Sequence, residues 1–229
     1  MKIEVVSATR KSSDEFWKSS ALGISLNRIA FDHAFTPRIA YQNQKGLPSV
    51  YNDAIVTAQA DSYIVFIHDD VWIDDYYLSQ RVSEGLRQYD VIGVAGNRRR
   101  ASRQPAWHLI GETLTSGLTW DDRANLSGAI GQGENPFGKI TRFGEAPQKC
   151  ELLDGLFLAA KTSALIEKNC HFDPQFDFHF YDMDFCRSAR QRGMTLGTWP
   201  ICLTHQSVGS IASEEWAKGC LKYRAKWAD

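Results

Sequence analysis

Residues 65–75 read VFIHDDVWIDD. The run that leads into them, SYIVFI (residues 62–67), carries four consecutive apolar residues, which suggests a strand buried on both faces as a parallel sheet requires. It stops on His68, Asp69 and Asp70. Three polar groups at the end of a buried strand are costly to desolvate unless something there needs them. In open parallel sheets, ligands collect at the carboxyl ends of the strands. Paired carboxylates at such a place suit a hard divalent cation held jointly with substrate phosphates. The competing reading is that Asp69 or Asp70 caps the following helix, although Asp74 or Asp75 is better placed for that task.

Working outward, the flanking segments alternate between strand and helix patterns. IEVVSA (Ile3 to Ala8) reads as a strand ending at Thr9-Arg10, and a helix is expected from about Ser12 to Ala30 with Phe16, Leu22, Leu26 and Ile29 on its apolar side. RIAYQN, after Pro37, reads as a second strand. LPSVYNDAIVTAQA reads as a helix with Pro48 near its start. Downstream, DDYYLSQRVSEGLRQ is helical and VIGVAG is a fourth strand. This alternation over the first ~97 residues predicts βαβ units and a mainly parallel, mixed α/β sheet flanked by helices. Residues 97–149 break the pattern and predict short antiparallel strands in an irregular, functional segment. Order returns with ELLDGLFLAAKTSALIEK, a strand feeding a short helix, then the helix FYDMDFCRSARQRG closed by Gly193. MTLGTWPICLTH supplies one or two strands, and SEEWAKGCLKYRAKW a tail helix with Ser213 as N-cap. The composition shift near residue 97 divides two halves (1–97 and 98–229) of a single domain spanning 1–229.

The 229-residue chain is 43% hydrophobic and carries 26 basic against 27 acidic residues, for a net charge of -1. That provides an ordinary globular core and no global field favouring nucleic acid or anionic membrane. MKIEVVSATR has no signal-peptide pattern, and no apolar run approaches bilayer-spanning length. Cys150, Cys170, Cys186, Cys202 and Cys220 form no CxxC pair, so buried free thiols in a reducing cytoplasm are expected. Trp216, Lys218, Lys222, Arg224, Lys226 and Trp227 mix aromatic and basic groups in the tail. That leaves peripheral association with an inner membrane open beside an ordinary packed helix.

A second acidic cluster, FDPQFDFHFYDMDFC, places Asp173, Asp177, Asp182 and Asp184 among aromatic residues, and lacks the central Gly of a calcium loop. Asp182 directly precedes MDFCRSARQ and could be its N-cap. Among Phe180, Tyr181 and Phe185 it could equally be a partly desolvated base with a raised pKa. The helix N-terminus opposes that shift, and both readings stand. His205 ends another apolar strand, where imidazole can complete a Mn-type site. Arg98-Arg99-Arg100 follows a strand end, where the run could hold a phosphate. Trp107 and Trp120 could stack on a sugar ring or pack in the core.

Together these stretches resemble the nucleotide-sugar transferases of the GT-A fold, specifically the inverting family-two-like group. LPSVYNDAIVTAQADSYIVFIHDDVWI is similar to that group's asparagine-bearing helix, strand and DxD-type acidic motif. LLDGLFLAAKTSAL is similar to its acceptor-side strand, FDPQFDFHFYDMDFCRSARQRG to the segment bearing the catalytic base, and THQSVGS to the histidine loop over the donor diphosphate. The resemblance implies a Mn²⁺- or Mg²⁺-dependent glycosyltransferase that takes a nucleoside-diphosphate sugar, most simply a UDP-sugar, to a hydroxyl acceptor. A glycan or lipid-linked glycan, in bacterial glycan or secondary-metabolite synthesis, is the acceptor it implies. Asp70 would bind the metal with His205. His68, standing where the motif has its first aspartate, would face the ribose, with Asp69 beside it. Thr9, Arg10, Asn43 and Asn52 would surround the nucleotide, Asp182 would be the base, and Asp154, Trp107 and Asp184 would lie on the acceptor side. Two other readings are a sugar nucleotidyltransferase, which lacks its Gly-rich basic loop here, and a non-catalytic nucleotide-sugar or glycan-binding protein.

Overall fold

A computed structural model describes residues 2–111, 117–207 and 213–229. The first half contains β1 (Ile3–Ala8), α1 (Ser13–Ser19), α2 (Ala21–Arg28), β2 (Phe35–Ala40), α3 (Leu47–Thr57), β3 (Tyr63–Ile67), β4 (Val71–Ile73), α4 (Leu78–Gln88), β5 (Val91–Gly93) and β6 (Ala95–Asn97). The irregular segment holds β7 (Leu109–Ile110), β8 (Thr119–Trp120), β9 (Leu126–Gln132), β10 (Lys139–Gly144) and β11 (Gln148–Lys149). The remainder is β12 (Leu152–Leu153), β13 (Phe157–Lys161), α5 (Thr162–Glu167), α6 (Tyr181–Gln191), β14 (Leu196–Thr198), β15 (Leu203–His205) and α7 (Glu214–Trp227).

The large sheet runs β11-β14-β5-β13-β3-β1-β2 and is mixed. β1 is parallel to both β2 and β3, while β13 lies antiparallel between β3 and β5. Ile64, Val65, Phe66 and Ile67 are fully buried, as the unbroken apolar run requires. The second strand begins earlier than expected and contains Pro37, paired in register with Val5. β2 is the sheet's edge, where a missing N–H breaks no ladder.

The expected helix over 12–30 is two. Ser20 ends α1 and caps α2, its hydroxyl accepting from the Gly23 N–H at 2.9 Å. Phe16, Leu22, Leu26 and Ile29 are all buried as expected. VIGVAG also divides: β5 joins the large sheet, whereas β6 belongs to a second sheet ordered β12-β6-β9-β15-β4, with β10 on β9. The chain changes sheets at Val94, and that passage opens the space in which residues 97–149 build. Neither Asp74 nor Asp75 caps α4, whose N-cap is Tyr77. Asp74 instead accepts from the Thr204 hydroxyl at 2.6 Å, while Asp75 accepts from the Tyr77 N–H at 2.9 Å.

An aromatic cluster seats α6 against the large sheet. Phe172 stacks on Phe185 of α6 at 4.2 Å and meets Phe66 of β3 at 5.0 Å and Tyr51 of α3 at 5.2 Å. Each fully buried ring contributes roughly 1.5–3 kcal/mol from apolar burial. α7 caps the other side of α6 as an ordinary packed helix. Ser213 is its N-cap, accepting from the Trp216 N–H, and Trp216, Cys220 and Tyr223 are buried. Trp227 is half-buried, and among the described residues no helix is long and apolar enough to cross a membrane. Cys150, Cys170, Cys186 and Cys220 are buried and free; Cys202, expected inside, is exposed.

Candidate active site

The ends of β1, β3 and β15 and the start of α6 surround one cavity of about 770 Å³. His68, Asp69 and Asp70 enter it from the end of β3, Asp154 and Gly155 from the turn before β13, Asp182 from α6, and His205 from the end of β15. Residues 114 positions apart in sequence thus share one cleft, because β3 and the start of α6 are both held by the Phe66–Phe172 contact.

One side of the cavity gathers His68, Asp70 and His205. One ligand atom from each lies within 4.8 Å of the other two, a spacing that fits a metal ion. Asp70 Oδ1 is buried, and His205 Nε2, 3.2 Å away, donates to it only when the imidazole is protonated. Beside a neutral imidazole that oxygen has no donor and is the type of atom a cation satisfies. Burial raises the Asp70 pKa, but the His205 contact and charge, then His68, outweigh it and bring it to about 2. The converse holds for His205, where burial is outweighed by Asp70 and the pKa rises. Burial keeps His68 below the usual histidine value, hence neutral and able to ligate. The Tyr181 hydroxyl donates to the Gly155 carbonyl at 2.8 Å, so the His68 Nε2 contact to the same oxygen, also 2.8 Å, is a donated bond. That fixes the tautomer and leaves Nδ1 as the lone-pair nitrogen. His68 thus stands beside Asp70 and His205, in the position where the resemblance had placed a ribose contact.

Asp182 lines the same cavity, and it is not the N-cap. The cap is Phe180, a non-glycine residue at φ 67°, ψ 0°, in the left-handed region. That conformation costs about 1–2 kcal/mol, and it turns Tyr181 and Asp182 into the cavity. Asp182 accepts from the Gly155 N–H at 3.1 Å and from the Met183 N–H at 2.8 Å. Burial, then the Asp154 charge, overrides these bonds and lifts its carboxyl to about 7. Gly155 is required there, since a Cβ would come within 2.5 Å of the Tyr181 hydroxyl. Asp154 is held by the Trp107 Nε1–H at 2.7 Å, and Trp107 lines the cavity, so both acceptor-side expectations fall at the cleft.

Other expected residues are placed differently. Thr9 is buried and donates to Asp69 Oδ2 at 2.6 Å, orienting that carboxylate. Arg10 is exposed and outside the cavity wall. Asn43 closes a local turn with Lys45, its side chain both donating and accepting there. Asn52 spends its amide on the main chain of Phe172, at 2.7 and 2.9 Å, and so braces α3 against the approach to α6 instead of binding donor. Asp184 is fully buried between α6 and α7, held by Lys226 and Trp227, away from the acceptor side. Arg99 pairs with Asp121, Arg100 with Asp229, and Arg98 with the Ala124 carbonyl, leaving no cradle for phosphate. In the THQSVGS loop, residues 208–210 lie outside the described residues. Tyr181, Gly155 and His108 are cavity residues that sequence reading did not single out. The Asp-Gly pair at 154–155 was the available signal for a tight turn.

A layered α/β fold thus gathers acids and imidazoles at its strand ends into one cavity with a raised carboxyl. The chain belongs to the glycosyltransferase-like family, whose model matches residues 24–222. Its fold is that of the GT-A glycosyltransferases. GalNAc-T7 with UDP, GalNAc and Mn²⁺ aligns over 98% of this chain and 48% of its own, at 9% identity and a TM-score of 0.53. TarS (1–349) of S. aureus in complex with UDP aligns over 90% and 61% at 11% identity (TM-score 0.47). A variant of Drosophila β1,4-galactosyltransferase 7 with manganese, UDP-Gal and xylobiose aligns over 86% and 65% at 10% identity (TM-score 0.47). The chain spans about half the length of the GalNAc-T7 chain and under two thirds of the TarS chain. No curated protein matches it by sequence.

Proposed function

We propose that this domain transfers a sugar, with inversion, from a UDP-sugar to a hydroxyl group of a glycan or lipid-linked glycan, with Mn²⁺ or Mg²⁺. The observation that carries the reading is a pairing within one cavity: a cation-fitting cluster around Asp70 and a carboxyl raised to about 7 at Asp182. Asp70, His205 and His68 would hold the ion, and two imidazoles in the set favour Mn²⁺ over Mg²⁺. Bound there, a divalent cation supplies positive charge against the diphosphate as it leaves. Asp69, pinned by Thr9, offers a carboxylate oxygen to a ribose hydroxyl. Asp182 takes the proton of the acceptor hydroxyl while that oxygen forms a bond to the anomeric carbon from the face opposite the leaving UDP. A carboxyl raised to about 7 is basic enough to accept that proton. The setting we propose is bacterial glycan or secondary-metabolite synthesis in a reducing cytoplasm, which the buried free thiols support.

His68 in place of an acid favoured the non-catalytic reading; its place beside Asp70 and His205 supports the catalytic one. Incubation with radiolabelled UDP-sugars, Mn²⁺ and hydroxyl acceptors tests the assignment. Sugar transfer, or slow donor hydrolysis releasing UDP, is expected. Pyrophosphate exchange would make the protein a nucleotidyltransferase, and binding without turnover would make it a non-catalytic module.

A further inference from the structure

Asp182 depends on the strained residue before it. A bulky side chain in the left-handed region persists only where its surroundings over-determine it. At Phe180 (φ 67°) those surroundings include one face of α7. The Phe180 ring lies 5.4 Å from Tyr223 and 5.7 Å from Trp216, and all three are buried. Gly219 stands between them on the same face, where an added Cβ would come 3.0 Å from Phe180 Cδ2 and 3.3 Å from His179 Cβ. A helix interior disfavours glycine relative to alanine; the close approach of Phe180 gives this one a packing reason.

Helix α7 is itself pinned to α6 by its last turn. The Trp227 Nε1–H donates to Asp184 at 2.9 Å, and Lys226 pairs with the same carboxylate at 2.7 Å. Arg187 pairs with Asp229 at 2.5 Å and lies 4.2 Å from the Trp227 ring. Asp184 follows Asp182 by two residues on α6, so α7 grips the chain on both sides of Asp182: rings before it at Phe180, a buried ion pair after it at Asp184. Gly219 and Tyr223 lie outside the cavity wall and act on Asp182 through what they hold.

We propose that α7 is a positioning element for Asp182: Tyr223, Gly219 and Trp216 lock Phe180 in its left-handed turn, and that turn aims the Asp182 carboxylate into the cavity. The part of Asp182 as base rests on the transferase reading; the lock on Phe180 rests on packing alone.

Carbon-13 NMR of the aspartate carboxyls in the full chain reads the lock without relying on transfer, the Asp182 signal being the one lost in Asp182→Asn. Asp154, Tyr51, Tyr181 and Cys186 face Asp182 from the turn before β13, from α3 and from α6, and a Tyr223 substitution removes none of them. Tyr223→Ala should let water reach Asp182 and lower its titration midpoint by about one pH unit, an about tenfold loss of proton affinity. Tyr223→Phe, which keeps the ring, should restore the parent midpoint. Gly219→Ala, which pushes on the Phe180 ring, should lower it as well, and Leu221→Ala, an exposed change on the same helix, should leave it unmoved. In transfer assays Tyr223→Ala should cut kcat about tenfold with the donor KM unchanged, as a misplaced base would.

Thermal melting confirms that each variant is folded; if Tyr223→Ala does not fold, Gly219→Ala decides alone. Folded variants that melt lower but titrate as the parent would reduce α7 to a structural prop and overturn the proposal, as would a Tyr223→Phe that behaves like Tyr223→Ala. The expected shifts in a chain that transfers no sugar would leave the lock standing and remove the transferase reading instead.

Discussion

Asp70 and Asp182 are the same residue type, lie in the same cavity and are both largely removed from water, yet their carboxyls are driven in opposite directions. Burial raises both. At Asp70 it is outweighed by His205 and His68, and the group falls to about 2. At Asp182 it is reinforced by Asp154 and only partly offset by two main-chain N–H groups, and the group climbs to about 7. Asp70 is held in its ionised form, while Asp182 is pushed toward its protonated form. Neighbouring charge, more than burial, sorts the two roles.

The sharpest way to break this contrast is Asp182→Asn. Transfer should drop by about 10²–10⁴-fold, the range of a lost general base, while isothermal titration still shows UDP and Mn²⁺ binding as in the parent. Transfer at the parent rate would move the base elsewhere. Asp70→Ala comes next in size. Partners one shell out typically cost 10–100-fold in metal affinity, so losing a ligand should weaken Mn²⁺-dependent UDP binding at least about tenfold. An unchanged affinity would mean the ion, if one binds, is held by other groups.

The gentlest probe is pH. As the proposed base, Asp182 would have to be ionised, so the rate at saturating donor should climb to a plateau above about 7 and fall roughly tenfold per unit below it. Asp154→Asn should move that midpoint downward, because it removes a charge that holds the proton on. The same shift has a consequence for folding. A carboxyl raised in the folded chain favours the protonated form, so stability declines as pH rises from the usual carboxylate range through about 7. At pH 8, Asp182→Asn should therefore melt above the parent, and a lower melting temperature would show that its hydrogen bonds to Gly155 and Met183 matter more than its charge.

The alternation of strands and helices was legible because local pattern controls it. β1 and β3 begin and end where their apolar runs do, and the tail helix starts at Ser213. The acids at the end of β3 were legible for the same reason: polar groups closing a buried strand have few explanations. What local pattern missed were events between distant segments. VIGVAG reads as one strand, but Val94 carries the chain from one sheet to the other. Asp182 looks like a cap until Phe180 takes the left-handed turn and occupies that position. Asn52 looks free to bind a ligand until Phe172, 120 residues away, consumes its amide.

From the residues alone came the layered α/β class, the strand-end acids and the candidate base, since hydrophobic period and residue type act over a few positions. That Asp70 is held ionised while Asp182 is pushed toward its protonated form, and that His68 lies beside Asp70 and His205, were decided only when remote segments met. Those properties depend on distances between charges and on what lies against a ring, and neither is set until the chain has folded.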